Sequence, residues 1–227
     1  MTTRLVLWRH GRTEWNSERR FQGQTDIALD ETGRSQAAEA ARHLALLPPS
    51  RIVSSDLQRA QATAAELGRL TGLPIATDSR LRETYAGGWQ GLSREELMAQ
   101  HGPEVMAWGA GSDLRPGGGE RRSEVAARMV AAITDAIRDL PADSTLVIAT
   151  HGGSARAAVG ALLGLPVEHW AILGVLTNCA WTVLTSRPTA AGSAGTSTTD
   201  ADDAPPAWRL EEYNARSLPE TAFGDDR

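Results

Sequence analysis

Apolar residues fall into short continuous runs that alternate with longer segments in which they recur at helical spacing. Runs at 5–8 and 144–150 predict strands that are buried on both faces of a sheet. Shorter runs at 51–54 and 74–76 predict two more strands. Because helical segments separate these strands, we expect the strands to lie parallel to one another.

The helical segments carry recognisable start and stop residues. Helices are predicted over 30–47, 57–71 and 120–140, with another from Ser154 to about 164. The first has Asp30 or Thr32 as a candidate N-cap and stops at Pro48, and the second ends at Gly72. Alternating strands and helices indicate a three-layer α/β/α sandwich around a mostly parallel central sheet.

Two stretches depart from this alternation. Segment 86–118 is rich in glycine and tryptophan, and it is predicted to be a lid insertion with short helices at 93–100 and 104–108. Segment 188–206 contains only Pro, Thr, Ala, Gly, Ser and Asp. Such a composition cannot bury enough apolar surface to offset chain ordering, so this segment is predicted to be a disordered loop. Strand regions are expected on either side of it, at 173–184 and 208–213.

The bulk properties of the chain narrow the classes of function. With 227 residues the chain suits one domain, 1–227, and its net charge of −5 argues against a nucleic-acid or anionic-membrane partner. All 23 basic residues are arginine, which removes lysine Schiff-base chemistry. A single cysteine, Cys179, excludes an intramolecular disulfide, and no signal-peptide core or membrane-span run is present. We therefore expect a cytoplasmic protein.

Two histidines follow the two most apolar strands. His10 precedes Gly11 at the end of the first run, and His151 precedes Gly152 at the end of the late run. Parallel strands would bring both histidines to the same sheet edge, where α/β proteins bind ligands. A neutral imidazole can attack phosphorus, the guanidinium of Arg9 can hold phosphoryl oxygens, and a glycine lets backbone N–H groups approach an anion. An ordinary loop histidine beside a surface arginine is the alternative for such a short motif.

Further motifs in chain order produce a family resemblance. They are Arg9-His10-Gly11, Phe21-Gln22-Gly23-Gln24-Thr25-Asp26 with Leu29, Ser54-Ser55-Asp56-Leu57-Gln58-Arg59-Ala60 with Thr63, Leu81-Arg82-Glu83, and His151-Gly152. This set resembles the histidine phosphatase superfamily, also called the phosphoglycerate mutase-like family, over about 5–181. The resemblance implies the phosphoglycerate mutase-like fold.

The resemblance also implies catalytic roles. His10 is the expected nucleophile that forms a phosphohistidine, and an imidazole with a pKa of about 6.5 is largely neutral at pH 7. Arg9 and Arg59 are expected to clamp the phosphoryl group, and His151 to donate a hydrogen bond to a phosphoryl oxygen. Glu83 is the candidate general acid for the leaving oxygen and base for the attacking water. Taken singly, Arg59 could be a helix-surface charge and His151 a structural histidine.

A second set of residues is expected to bind phosphate or the rest of the substrate. The set is Asn16, Gln22, Gly23, Gly152, Arg82, Arg121 and Arg122. Asn16 and Gln22 match family positions that hydrogen-bond phosphate, with solvated loop amides as the alternative. A substrate carboxylate would need an arginine partner, since no lysine exists, and the last three residues are the candidates. Arg121 stands where the family pattern leads us to expect serine, so it could instead cap a helix.

The expected activity is phosphomonoester hydrolysis on a small phosphorylated metabolite, glucosyl-3-phosphoglycerate or a related phosphoglycerate or sugar phosphate. No metal and no cofactor are expected, because arginines and imidazoles already supply positive charge, and P-loop and dinucleotide fingerprints are absent from the sequence. Phosphoglycerate mutase is one alternative, although Thr84 replaces the arginine of the mutase pattern. A non-catalytic phospho-ligand module is another. We also allow for a homodimer through an apolar strand at 173–176.

Overall fold

The apolar runs of the sequence form one sheet, in the order β3-β2-β4-β1-β5-β6, in a computed structural model that describes residues 2–187 and 207–216. The strands are β1 Arg4–Arg9, β2 Arg51–Ser54, β3 Ile75–Thr77, β4 Thr145–Thr150, β5 Trp181–Arg187 and β6 Ala207–Ala215. Strands β3, β2, β4 and β1 pair in parallel, whereas β5 is antiparallel to both of its neighbours. The mostly parallel sheet is therefore confirmed.

Helices lie on both faces of this sheet. They are α1 Glu14–Ser17, α2 Glu31–Leu44, α3 Gln58–Thr71, α4 Arg94–Gly109, α5 Arg122–Ile137 and α6 Gly152–Leu162. Alternate residues of β1 point to opposite faces, so Val6 and Trp8 pack in the core of α2 and α3, while Leu5 and Leu7 pack in the core of α5 and α6. Two separate cores on one sheet are what a three-layer sandwich requires.

Local signals at helix ends behave as the sequence predicts. The Asp30 carboxylate caps α2 by accepting a hydrogen bond from the backbone N–H of Gly33. Gly72 ends α3 in the left-handed conformation with φ of 71°, which an L side chain adopts at a cost. The apolar stripe of α5, from Val125 to Ile137, faces the core. None of the helices in residues 2–187 is long and apolar enough to cross a membrane.

The two short helices predicted at 93–100 and 104–108 are present as the two halves of α4, which are separated by a non-helical break at His101 just before Pro103. The structure corrects two other predicted elements. Helix α6 begins at Gly152 rather than Ser154, because His151 already serves as the N-cap position despite the low helix propensity of the glycines that follow. The strand expected at 173–184 begins only at Trp181.

The apolar segment 173–176 does not form a strand that could pair two subunits. It is irregular backbone that follows a 3₁₀ turn at Val167–Ile172. Leu176 is fully buried in the core, and its carbonyl oxygen accepts a hydrogen bond from Arg9 at 2.6 Å. Leu176 therefore belongs to the core, whereas Val175 of the same segment is 49% exposed. The segment 188–206, predicted to be a disordered loop, lies outside the described residues.

Candidate active site

Adjacent parallel strands bring the two histidines together. Arg9 of β1 pairs with Thr150 of β4, so the next residue on each strand is a histidine. The backbone N–H of His10 donates to the carbonyl of Thr150 at 3.0 Å, and the ring centroids of His10 and His151 lie 5.1 Å apart. The juxtaposition predicted from the two strand exits is present.

His10 is held in a single tautomer by its own loop. Its Nδ1 lies 2.7 Å from the carbonyl oxygen of Gly11, and since a carbonyl only accepts, Nδ1 carries the proton and Nε2 keeps its lone pair. Burial, and then the positive charges of Arg59 and Arg9, lower the pKa of His10 well below 6.5. The imidazole is therefore neutral at pH 7, which a nucleophile requires.

The structure requires glycine at position 11 for a reason other than the predicted approach of an anion to the backbone. Its N–H donates to Thr63 Oγ1 at 3.1 Å and so is not presented to an anion. A Cβ at this position would lie 2.3 Å from the carbonyl oxygen of Gly33. Glycine is needed because the loop after β1 passes close to the first turn of α2.

Arg59 is a fully buried guanidinium at the start of α3. Its Nη1 and Nη2 each donate at 2.7 Å to a backbone carbonyl, of Thr25 and Gly23 respectively. Burial lowers its pKa to about 10, which still leaves it charged at pH 7. Each terminal nitrogen has a second N–H, and the side chain lines the same pocket as His10.

The ring of His151 is engaged differently from the prediction. Its Nδ1 accepts from Arg59 Nε at 3.2 Å, so the proton of the neutral ring lies on Nε2, which is 2.9 Å from Ser55 Oγ. Burial, followed by the charge of Arg59, lowers the pKa of His151 well below 6.5. With both nitrogens bonded to protein groups, His151 orients Arg59 in this structure and does not direct a donor into the pocket.

A pocket of about 170 Å³ opens beside His10. Its lining includes seven of the predicted residues: Arg9, His10, Asn16, Gln22, Gly23, Arg59 and Glu83. Gly152 lies beside two lining residues, because a Cβ added to Gly152 would come 2.8 Å from Val175 and 3.3 Å from Arg9 Nε. The structure thus gathers most of the predicted site into one cavity at the carboxyl ends of β1, β4 and β2.

Two amide side chains also line the pocket. Asn16 Oδ1 accepts from Thr13 and from Asn178 Nδ2, which fixes the amide and leaves its Nδ2 hydrogens as donors. Gln22 is buried, and among the described groups its Oε1 has no hydrogen-bond partner. Asn178 also donates to the His10 carbonyl at 3.0 Å, so it supports the loop after β1, a role that the sequence did not predict.

Glu83 receives donors from the first turn of α6. The backbone N–H groups of Gly153, Ser154 and Thr84 donate to its carboxylate at 2.8, 2.9 and 2.8 Å. A helix N-terminus with its dipole favours a negative group at this place. These contacts hold the carboxylate at the wall of the pocket.

Arg128 on α5 fixes the backbone that carries Glu83. Its guanidinium donates to the carbonyls of Arg80, Arg82 and Glu83 and pairs with the Glu120 carboxylate at 2.9 Å. Glu120 in turn accepts from the N–H of Tyr85 at 2.8 Å. No local motif marks this arginine, and the sequence analysis missed it because its partners are carbonyls far away in the chain.

Of the three arginines predicted to bind substrate, Arg82 and Arg121 have other partners and do not line this pocket. Arg82 forms a two-point ion pair with Asp56 at 2.6 and 2.7 Å, and exposed Arg121 donates to the carbonyl of Asp113. Both predictions require correction, since these guanidinium groups are engaged elsewhere. Arg122 is buried and stacks on Trp108, 4.4 Å from the ring centroid. It lies behind the pocket lining rather than in it.

Arg156 lines the pocket although the sequence analysis gave it no role. It is the only charged residue in α6, whose other residues are Gly, Ala, Ser, Val and Leu. A lone arginine in a helix that is otherwise built to be buried was the available signal. A single helix arginine more often lies on the surface, which is why it was passed over.

A second, larger cavity adjoins the pocket. Its volume is about 700 Å³, and it shares Asn16, Arg20, Phe21 and Trp108 with the smaller pocket. The segment predicted to be a lid provides much of its wall, and Trp89 and Leu97 of that segment pack with Phe21 and Trp108 in a third small core.

In residues 2–187 and 207–216, no group of three His, Cys, Asp or Glu side chains is placed to hold a metal ion.

Comparison with known proteins gives consistent relatives. A family model described as histidine phosphatase superfamily (branch 1) matches residues 5–193. Glucosyl-3-phosphoglycerate phosphatase of Mycolicibacterium vanbaalenii is 40% identical over 218 residues, covering 93% of this chain and 94% of that protein. The solved mycobacterial glucosyl-3-phosphoglycerate phosphatase with VO3 has a TM-score of 0.83 and 40% identity, covering 93% and 98% of the two chains. A "Probable phosphoglycerate mutase" of Photorhabdus laumondii is 36% identical over 168 residues, covering 72% and 76%.

The lowered pKa values of the two histidines predict a loss of stability in acid. The unfolded chain would protonate both histidines near pH 6.5 while the folded protein does not, so the free energy of unfolding should fall as the pH drops below about 6.5. The slope should be about 1.4 kcal/mol per pH unit for each histidine. Urea unfolding of the wild type, His10→Gln and His151→Gln over this range measures it. Each substitution should reduce the slope, and identical slopes in all three proteins would contradict the assignment.

Proposed function

The chain belongs to the histidine phosphatase superfamily, and on that premise we propose that it hydrolyses a phosphomonoester through a phosphohistidine at His10. The observation that carries this proposal is the neutral His10, whose Nε2 lone pair opens onto a pocket lined by Arg9 and Arg59. A nucleophile within a cationic cradle is what phosphoryl transfer requires.

In the first step, His10 Nε2 attacks phosphorus and the bond from phosphorus to the ester oxygen breaks. Arg9 and Arg59 stabilise the charge on the phosphoryl oxygens, and Asn16 and Gln22 add neutral contacts. The leaving oxygen takes a proton from Glu83, the carboxyl group in the pocket lining. The Nδ1–H bond to the Gly11 carbonyl then stabilises the phosphoimidazolium.

In the second step, water attacks the phosphohistidine and gives its proton to the Glu83 carboxylate. The bond between phosphorus and Nε2 breaks, which returns neutral His10, protonated Glu83 and inorganic phosphate.

We also propose that the Nε2–H of His151 exchanges its bond to Ser55 for a phosphoryl oxygen when phosphate is bound. The 2.9 Å contact with Ser55 Oγ shows that this N–H already has an oxygen acceptor.

We propose glucosyl-3-phosphoglycerate as the substrate. Support comes from the relatives named for that activity, which match along 93% of this chain. A pocket of about 170 Å³ holds little more than the phosphoglycerate portion, and the adjoining cavity of about 700 Å³ offers room for a sugar beside Trp108. We further propose that segment 86–118 is the lid over both cavities, since Trp108 lines each of them.

Phosphoglycerate mutase is the competing activity, because relatives carrying that name match about three quarters of the chain. A mutase must keep water away from the phosphohistidine and hold phosphoglycerate firmly. Here the residue after Glu83 is Thr84, whose hydroxyl contacts Glu83 at 3.3 Å, and the chain contains no lysine. Hydrolysis is therefore the reaction that we propose.

A substrate assay tests the proposed function. The purified protein should release inorganic phosphate from glucosyl-3-phosphoglycerate in the presence of EDTA as rapidly as without it, because the arginines provide the positive charge that a metal would. His10→Gln, with an unchanged thermal midpoint, should release at least about a thousandfold less. Interconversion of phosphoglycerates without phosphate release would show a mutase, and no turnover of any phosphoester would favour a binding module.

A leaving-group comparison tests Glu83. Glu83→Gln should slow the first turnover of an alkyl phosphate about a hundredfold or more, because its alkoxide needs a proton. The first turnover of p-nitrophenyl phosphate should change by only about threefold, since nitrophenolate leaves unprotonated. Rapid-quench measurement of the first turnover separates this step from the later attack of water. Equal losses for both esters would show that Glu83 is not the acid.

A further inference from the structure

Arg156 projects toward the pocket from one turn inside α6. It lies three residues beyond Gly153, which lines the pocket, so the two share a face of the helix. Side chains on a helix lean toward its N-terminus. The guanidinium of Arg156 is therefore carried back toward the pocket and toward Glu83, whose charge it experiences.

The guanidinium of Arg156 has no acidic partner in the part of the chain that the structure describes. It makes no hydrogen bond or ion pair there, although the side chain is substantially buried and burial lowers its pKa. The one carboxylate whose charge acts on it, that of Glu83, already accepts hydrogen bonds from Gly153, Ser154 and Thr84. Desolvated arginines usually have a paired anion, and here no described residue provides one.

Arg122 is a second arginine near this part of the pocket, although it does not line the pocket itself. Its Nη2 donates to the carbonyl of Trp108, while among described groups its Nε and Nη1 have no partner despite being buried. Burial, and then the charge of Arg156, lower the pKa of Arg122 to about 10. Trp108 links the two arginines to one part of the pocket, because Arg122 stacks on its ring and Arg156 lines the pocket together with it.

The position of this pair relative to the chemistry indicates which part of a substrate it would meet. His10 and Arg59 define the end where phosphorus is attacked, and Glu83 lies where the leaving oxygen takes its proton. Arg156 and Glu83 line the same pocket, and the N–H of Gly153, three residues before Arg156 on α6, donates to the Glu83 carboxylate. We therefore place Arg156 on the side of the organic group attached to the leaving oxygen, where an anion would belong to the leaving group.

We propose that Arg156, with Arg122 behind it, binds a carboxylate on the leaving group and so selects phosphoesters of hydroxy acids. A guanidinium offers a planar fork that fits the two oxygens of a carboxylate. The inference rests on the proposed phosphatase function and adds to it the residue that discriminates among substrates. It transfers the carboxylate-binding role from Arg82 and Arg121, which are engaged outside the pocket.

Two phosphoesters that differ only at the carboxylate test this inference. 3-Phosphoglycerate carries a carboxylate at the position where the glycerol phosphate of the same configuration carries a hydroxymethyl group. Wild-type protein should have the higher kcat/KM for 3-phosphoglycerate. Arg156→Gln should lower that value about 10- to 150-fold, mainly through KM, and change glycerol phosphate hydrolysis less than about threefold.

Two further variants provide controls, one that keeps the charge at position 156 and one that removes an arginine elsewhere. Arg156→Lys should keep part of the preference for 3-phosphoglycerate that Arg156→Gln loses, because lysine has the positive charge but not the planar two-point donor of a guanidinium. Arg121→Gln removes an exposed arginine outside the pocket and should leave both kcat/KM values within about twofold. Thermal unfolding of each variant checks that the fold is intact.

Each outcome separates the inference from the proposed function. Preference for 3-phosphoglycerate that persists in Arg156→Gln, or equal losses on both esters, overturns the inference and leaves the phosphatase function standing. Turnover by the wild type without any preference does the same. If the wild type hydrolyses neither ester, the proposed function is undermined. In that case, calorimetry measures the binding affinity of the two esters for the wild type and for Arg156→Gln. A preference for 3-phosphoglycerate that Arg156→Gln loses supports the inference, and a preference that persists overturns it.

Discussion

The active site depends on a guanidinium that is buried among neutral acceptors. Arg59 donates to two carbonyl oxygens and to the ring of His151, and none of these partners carries a negative charge. Burying a charge in this way is costly unless an anion arrives to compensate it. The fold thus maintains a positive potential in a fixed place, and a phosphate dianion is the group that gains most from it.

Other features of the site follow from that potential. The charge of Arg59 adds to burial in keeping His10 and His151 neutral, so His10, the proposed nucleophile, keeps a lone pair at pH 7. The carboxylate of Glu83, the proposed proton carrier, is held at the pocket by the N-terminus of α6, and its backbone is held by Arg128. Parallel pairing of β1 with β4 places both histidines at the carboxyl ends of neighbouring strands. The proposed nucleophile, the arginines and the proposed proton carrier therefore meet in one small volume.

Much of this arrangement could be predicted from the sequence because it depends on local patterns. The strand exits at His10 and His151 and the stop at Gly72 are signals read within a few residues. The run at 173–176 was misread because buried irregular backbone is as apolar as a strand. Arg128 and Arg156 were missed because each looks like a surface charge until the sheet brings Glu83 beside it. The contact that requires Gly11, with Gly33, appears only in the folded chain.

The central claim is that phosphate passes through His10, and trapping of the phosphoenzyme tests it most directly. The protein would be mixed with substrate, quenched within the first turnover under alkaline conditions, digested and analysed by mass spectrometry. The account predicts one phosphoryl group, labile to acid and stable to base, on the peptide that contains His10. A phosphoryl group on another residue, or phosphate release with inversion at phosphorus and no phosphoenzyme, would contradict it.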